Sequence, residues 1–134
     1  MEISQDMEYM AKTLWGEARG ENKDGQIAVG HVIKNRSDKK TWYGKTIKDV
    51  CLKKWQFSCW NENDPNRNKI LALSLDDLDE QIDVAAGVIS GHYVDPTHSS
   101  THYYAKSMPK PPKWAVGKEP ALVLGNHYFF NNIE

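Results

Sequence analysis

Apolar residues recur at helical spacing along the first two thirds of the chain and gather into short extended runs near its end. Met7, Met10, Ala11, Leu14 and Trp15 fall at i, i+3, i+4, i+7 and i+8, the stripe of an amphipathic helix facing a core. Ser4 or Asp6 can cap its start, and Gly16 is expected to help end it, leaving Glu17 just past the helix C-terminus. A second helix is predicted over residues 24–36, with Ile27, Ala28, Val29, Val32 and Ile33 on its buried side. Residues 37–44 read as a polar loop carrying Trp42 and Tyr43. Thr46 followed by Asp49 opens a short helix with Ile47, Val50 and Cys51, and residues 61–68 read as a polar loop around Pro65. Leu75, Leu78, Ile82, Ala85, Ala86 and Ile89 predict a long buried helix closed by Gly91.

Beyond Gly91 the period changes. Asp95-Pro96-Thr97 begins an irregular stretch, His102-Tyr103-Tyr104 reads as extended, and the prolines of residues 108–113 exclude a helix. Residues 121–124 and 127–130 pattern as a hairpin or strand pair around Gly125-Asn126. The expectation is therefore a mainly α (α+β) chain of one domain, residues 1–134, with a small β-hairpin or irregular C-terminal part.

Composition narrows the function classes. A chain of 134 residues suits one compact domain, and a net charge of −1 with dispersed basic residues argues against a nucleic-acid footprint. Five tryptophans and six tyrosines are many for this length and suit a carbohydrate or small-ligand cleft as well as a core. Cys51 and Cys59 are expected as two reduced, packed thiols rather than a disulfide framework. The acidic N-terminus lacks the apolar run of a signal peptide, and no segment approaches a membrane span.

The candidate chemistry is acid–base work by a carboxyl. No phosphate-binding glycine loop, nucleophile elbow or zinc-binding helix occurs. His98 and His102 are four apart, but Pro96 and the Ser99-Ser100-Thr101 run speak against the helix a shared metal would need. No metal and no cofactor are expected. Glu17 stands between Trp15 and a glycine-flexible turn at a helix end, a placement that suits a proton donor. Glu21 would face it only if the helix continued, and is expected to be solvated or structural, pairing with Arg19. The stretch Trp55-Gln56-Phe57-Ser58-Cys59-Trp60 reads equally as a core turn or as a cleft wall, aromatic faces stacking on sugars while Gln and Ser bond their hydroxyls.

Several motifs together carry a resemblance. Leu14-Trp15-Gly16-Glu17-Ala18-Arg19-Gly20-Glu21, Gly25-Gln26-Ile27-Ala28-Val29 with Asn35-Arg36, Gln56-Phe57-Ser58, Asp95-Pro96-Thr97, Thr101-His102-Tyr103-Tyr104, Pro112-Lys113-Trp114-Ala115 and Gly125-Asn126-His127 with Phe129 resemble the SleB-type cell-wall hydrolases. That family includes the catalytic domains of spore-cortex-lytic enzymes and many phage lysis proteins. The departure is His98-Ser99-Ser100, where relatives often carry a glycine-rich loop.

The resemblance implies a lysozyme-like fold acting on peptidoglycan glycan strands, with Glu17 as the acidic catalytic residue. It implies a lytic transglycosylase that cuts between N-acetylmuramic acid and N-acetylglucosamine and leaves a 1,6-anhydromuramoyl end. Gln56, Phe57, Ser58, His102, Tyr103 and Tyr104 are then expected in the cleft, with Trp60 and Trp114 as sugar platforms and His127 as a structural hydrogen-bonding residue. The rivals are a hydrolytic muramidase, an amidase and a wall-binding protein without activity. The setting expected is a monomeric phage endolysin, held in the host cytoplasm until a holin-like pore releases it to the wall.

Overall fold

The computed structural model describes residues 3–54 and 56–133; Trp55, the first residue of the aromatic stretch, lies outside the described residues. Helix α1 spans Gln5–Ala18. Ser4 caps it, its hydroxyl accepting from the Met7 N–H at 3.1 Å, and Met10, Ala11 and Leu14 are fully buried. The helix does not stop at Gly16 as its sequence suggested. Gly16 is there for close approach: a Cβ would lie 2.7 Å from Cys59 Cβ and 2.8 Å from Ile70 Cδ1. Glu17 consequently sits inside the last turn of α1, not beyond it.

Helix α2, Lys23–Lys39, begins one residue earlier and ends three later than expected. Asn22 caps it by accepting from the Gly25 N–H at 2.9 Å, and Lys40 closes it in the left-handed region at φ 50°. Residues 37–39 are helical rather than loop, and Tyr43 beyond them is buried while Trp42 is exposed. The helix is buried on nearly all sides, which makes it the central element. Its buried polar groups are matched: Gln26 Nε2 donates to Glu80 Oε1 at 3.2 Å, and His31 Nε2 meets the Tyr93 carbonyl at 3.0 Å.

Helix α3, Ile47–Leu52, starts at Thr46 as expected, whose hydroxyl accepts from the Asp49 N–H. A single 3-10 turn, Ser58–Trp60, leads to α4, Pro65–Ala72, where a loop was expected. Asp64 caps α4 through the Asn66 N–H at 2.8 Å, and Pro65 occupies the first position, where its missing N–H costs nothing. Only Ile70 is buried on α4, so no apolar stripe announces it. The long helix predicted from Leu75 is split. Leu75–Leu78 form a 3-10 turn behind a Ser74–Asp77 capping box, and α5 spans Asp79–Ser90. Gly91 closes α5 at φ 83° as expected, although Ala86 and Ile89 are only half-buried.

Strands β1 (His102–Ala105), β2 (Leu122–Leu124) and β3 (His127–Phe130) form an antiparallel sheet in the order β1-β3-β2. The expected hairpin is β2–β3, and β1 joins its other edge. Tyr103 pairs with Phe129, while His102 pairs with Phe130 and Tyr104 with Tyr128. Strand alternation therefore sends Tyr103 and Phe129 to one face and His102, Tyr104 and Phe130 to the other. Helices α1 and α2 pack against each other and each against α3 and α5, with Phe129 in the shared core. Among the described residues no helix is long and apolar enough to cross a membrane.

Candidate active site

Glu17 is half-buried where three elements meet. Its Oε1 accepts from the Tyr103 hydroxyl of β1 at 3.1 Å, and its Oε2 faces the Cys59 backbone N–H of the 3-10 turn at 3.4 Å. Gly16 makes this possible, because only a residue without Cβ lets that turn lie against α1 one residue before the carboxyl. Burial first, and then the Glu17 carboxylate, push the Tyr103 phenol well above its ordinary value of 10.0. The hydroxyl therefore stays protonated and acts as a donor. A carboxyl held by one neutral O–H and one backbone N–H has its orientation set while remaining able to give up or take a proton.

The wall behind Glu17 is braced by Arg36, 8% exposed, whose role was not foreseen. Its Nε donates to the Thr101 carbonyl at 2.6 Å and its NH1 group to Gln56 Oε1 at 2.9 Å. The guanidinium also lies 5.2 Å from the ring centres of both Tyr43 and Phe57. Asn35 beside it donates to Asp95 Oδ2 at 3.0 Å and to the Ser100 carbonyl at 2.9 Å. Asp95 in turn accepts from the Thr97 N–H, the Thr97 hydroxyl and the Ser99 N–H. Motifs far apart in sequence are thus tied into one frame around α2. The signal available was an Asn-Arg pair at the end of a helix that leaves no room for unpaired polar groups.

The expected cleft residues divide. Gln56 is spent on the frame: besides Arg36 it bonds the carbonyls of Tyr43 at 2.5 Å and Val50 at 3.1 Å. Phe57, 2% exposed, belongs to the core and offers no face to a sugar. Ser58 is exposed, next to the Cys59 N–H that meets Glu17. Of the His102-Tyr103-Tyr104 strand, only Tyr103 reaches Glu17, since the pleat turns its neighbours away. His102 and Tyr104 pack with Trp114, at ring separations of 4.9 and 5.9 Å, and Trp114 meets Phe130 at 5.2 Å. Trp114 is therefore part of an aromatic cluster on the far face of β1. Trp60, at the end of the 3-10 turn, donates its indole N–H to Thr13 Oγ1 at 2.8 Å, one turn of α1 before Glu17.

Glu21 does not pair with Arg19. Arg19 stacks on Trp15 at 4.0 Å and bonds the Trp15 carbonyl and Asn66. The Glu21 carboxylate is instead bound by the Asn126 N–H, the Asn126 side-chain amide and His127 Nδ1, at 2.9, 3.0 and 2.8 Å. His127 is thus a structural hydrogen-bonding residue, as expected, and Glu21 is committed to the hairpin turn. Both cysteines are free and buried, and burial pushes the Cys51 thiol up to about 12 and Cys59 higher still. Neither is a nucleophile at neutral pH.

His102 provides an acid-sensitive element. Burial, then repulsion from Arg36 and Lys39, pulls its imidazole down from 6.5 to about 4. Between those values the unfolded chain binds a proton that the native state refuses, so stability falls on acidification across pH 6.5 to 4. His31, also lowered by burial, adds a component of the same sign. Thermal midpoints measured across this window are expected to fall less steeply for His102→Gln than for the wild type; parallel curves would refute the assignment.

The family model described as cell wall hydrolase matches residues 20–130. Among solved structures, the catalytic domain of the Bacillus cereus SleB protein is similar at TM-score 0.76 and 25% identity, over 97% of this chain and 93% of that one. The catalytic domain of the germination-specific lytic transglycosylase SleB from Bacillus anthracis is similar at TM-score 0.73 and 25% identity, over 96% of each chain. No curated protein matches the chain.

Proposed function

The chain belongs to the cell wall hydrolase family, and from that premise we propose that it cleaves peptidoglycan between N-acetylmuramic acid and N-acetylglucosamine as a lytic transglycosylase. The observation that carries the reading is the half-buried Glu17 carboxyl, fixed by Tyr103 and the Cys59 N–H, while the carboxylate nearest in sequence, Glu21, is fully engaged elsewhere. A two-carboxylate hydrolase would need a second free acid, roughly 5 Å away for retention or about 6.5 to 9.5 Å for inversion. A lytic transglycosylase needs one. Glu17 protonates the glycosidic oxygen, the C1–O bond breaks, and N-acetylglucosamine leaves as an alcohol. The muramoyl C6 hydroxyl then bonds to C1 and its proton passes to the Glu17 carboxylate, restoring the acid. The printed name of the Bacillus anthracis relative, a lytic transglycosylase of 25% identity, supports the same chemistry.

Mass spectrometry of digested sacculi tests the bond. Anhydromuramoyl ends, lighter by one water, are expected; reducing ends would replace the transglycosylase with a muramidase. Lysis of a phage host from within is part of the proposal. Its test is expression with and without a holin-like pore, where lysis is expected only with the pore.

A further inference from the structure

A groove of about 610 Å³ on the described surface is lined without Glu17. It is lined by Tyr9 and Trp60, whose rings stand 5.7 Å apart and form its aromatic floor. We propose that this groove binds the acidic peptide stem of peptidoglycan, an assignment that rests on the function proposed above. Three observations carry it.

The first is position. Cys59 touches Glu17, and Trp60, the next residue, turns into the groove and bonds Thr13, one helical turn before Glu17 on α1. Four residues of helix rise about 6 Å, and Tyr9 lies a further turn along. The stem hangs from the muramic acid whose C1 must lie at Glu17, so it leaves the sugar within reach of this floor.

Charge is the second. Lys53, Lys54 and Arg67 line the groove against a single carboxylate, Glu62, on a chain whose net charge is −1. The Lys53 ammonium donates to a neutral partner, the Trp42 carbonyl, and among the described residues neither Lys53 nor Arg67 forms an ion pair. Lys48 stands 5.2 Å from the Tyr9 ring centre and adds to the positive field, whereas Lys12, 5.6 Å from that ring, is offset by its ion pair with Glu8 at 3.0 Å. A groove so charged selects an anion.

The third is mixed polarity. Leu52 and Leu71, 40% and 57% exposed, border the groove beside Asn61 and Asn63. Alternating methyl groups, amides and carboxylates describe a short peptide of alanine and acidic residues. The sugars of a stem-bearing strand offer hydroxyls and N-acetyl groups but no charge, because the lactyl carboxyl is taken up in the amide bond to the stem.

The test is a titration of the wild-type protein, followed at the Trp60 indole N–H by NMR. The probes are the free L-alanyl-D-glutamyl-diamino acid-D-alanine tetrapeptide, its carboxyl-amidated form, and polyglycerol phosphate as an anion of another class. The tetrapeptide is expected to shift the indole signal saturably, and amidation or the Lys53→Glu/Arg67→Glu double variant to weaken binding at least tenfold. No shift, equal binding of the amidated peptide, or tighter binding of polyglycerol phosphate overturns the assignment. Should the double variant unfold, the amidated peptide still decides. A wild type inert on sacculi would defeat the proposed function while leaving the peptide titration readable, so the two failures are distinguishable.

Discussion

Glu17→Gln is expected to retain the fold and lose muralytic turnover by a factor of about 10³ to 10⁴, the upper part of what a positioned proton-transfer group supplies. The amide is isosteric with the carboxyl, so the Tyr103 hydroxyl still finds an oxygen where Glu17 Oε1 stood. The Cys59 contact is already long at 3.4 Å, and its loss costs little. The amide cannot protonate a glycosidic oxygen, and both halves of the proposed reaction pass through that proton. The measurement is release of soluble muropeptides from purified sacculi, with thermal midpoints alongside. Residual activity above about a tenth of wild type, in a variant that melts normally, would remove Glu17 from the chemistry. A large drop in midpoint together with activity would make it structural instead.

Legibility from sequence followed how each feature is encoded. Amphipathic α1, the Thr46 cap of α3, the Gly91 stop of α5 and the β2–β3 hairpin were all readable, because each rests on local periodicity or local turn chemistry. Helix α4 was not, because its stability comes from an Asp64 cap and one buried Ile70 rather than a stripe. Gly16 misled for a related reason. A glycine near a helix end ordinarily signals a stop, whereas here it admits Cys59 and Ile70 against the helix surface. The candidate acid was visible in its eight-residue stretch, but its partners were not. The Tyr103 bond spans 86 residues, and Arg36 reaches Thr101 across 65. Residue type suggested that Gln56 and Phe57 face a sugar; tertiary pairing instead consumed the amide and buried the ring. Strand alternation could have separated Tyr103 from His102 and Tyr104 beforehand, once that segment was read as extended.

Glu21→Ala is the substitution expected to cost most stability. The carboxylate side chain is 8% exposed and the His127 side chain 10%, so their contact is effectively buried. Removing it leaves the buried His127 Nδ1 without its partner, while the exposed Asn126 N–H and amide turn to water, and the expected loss is about 1–3 kcal/mol. In a domain of this size that lowers the melting midpoint by roughly 5–10 °C. The hairpin is shaped to the carboxylate: Gly125 adopts φ 56°, and a Cβ there would come within 2.9 Å of Glu21 Oε1. The effect should also reach the acid. His127 packs edge-on against Tyr103 with ring centres 5.1 Å apart, so a loosened hairpin loosens the hydroxyl that orients Glu17. Activity is therefore expected to fall below the melting range, with kcat affected more than KM. The pH dependence identifies the cause. Burial would raise the Glu21 pKa, but the Asn126 N–H, attraction to His127 and the two side-chain bonds outweigh it and hold the carboxyl below 4.5. A carboxyl so depressed contributes stability above its unfolded value and loses it as pH falls through the folded one. The urea midpoints of wild type and Glu21→Ala should accordingly converge as the solution is acidified below 4.5. A gap that stays constant from neutral to acid pH would mean that the side chain's packing, rather than its charge, holds the hairpin to the helices.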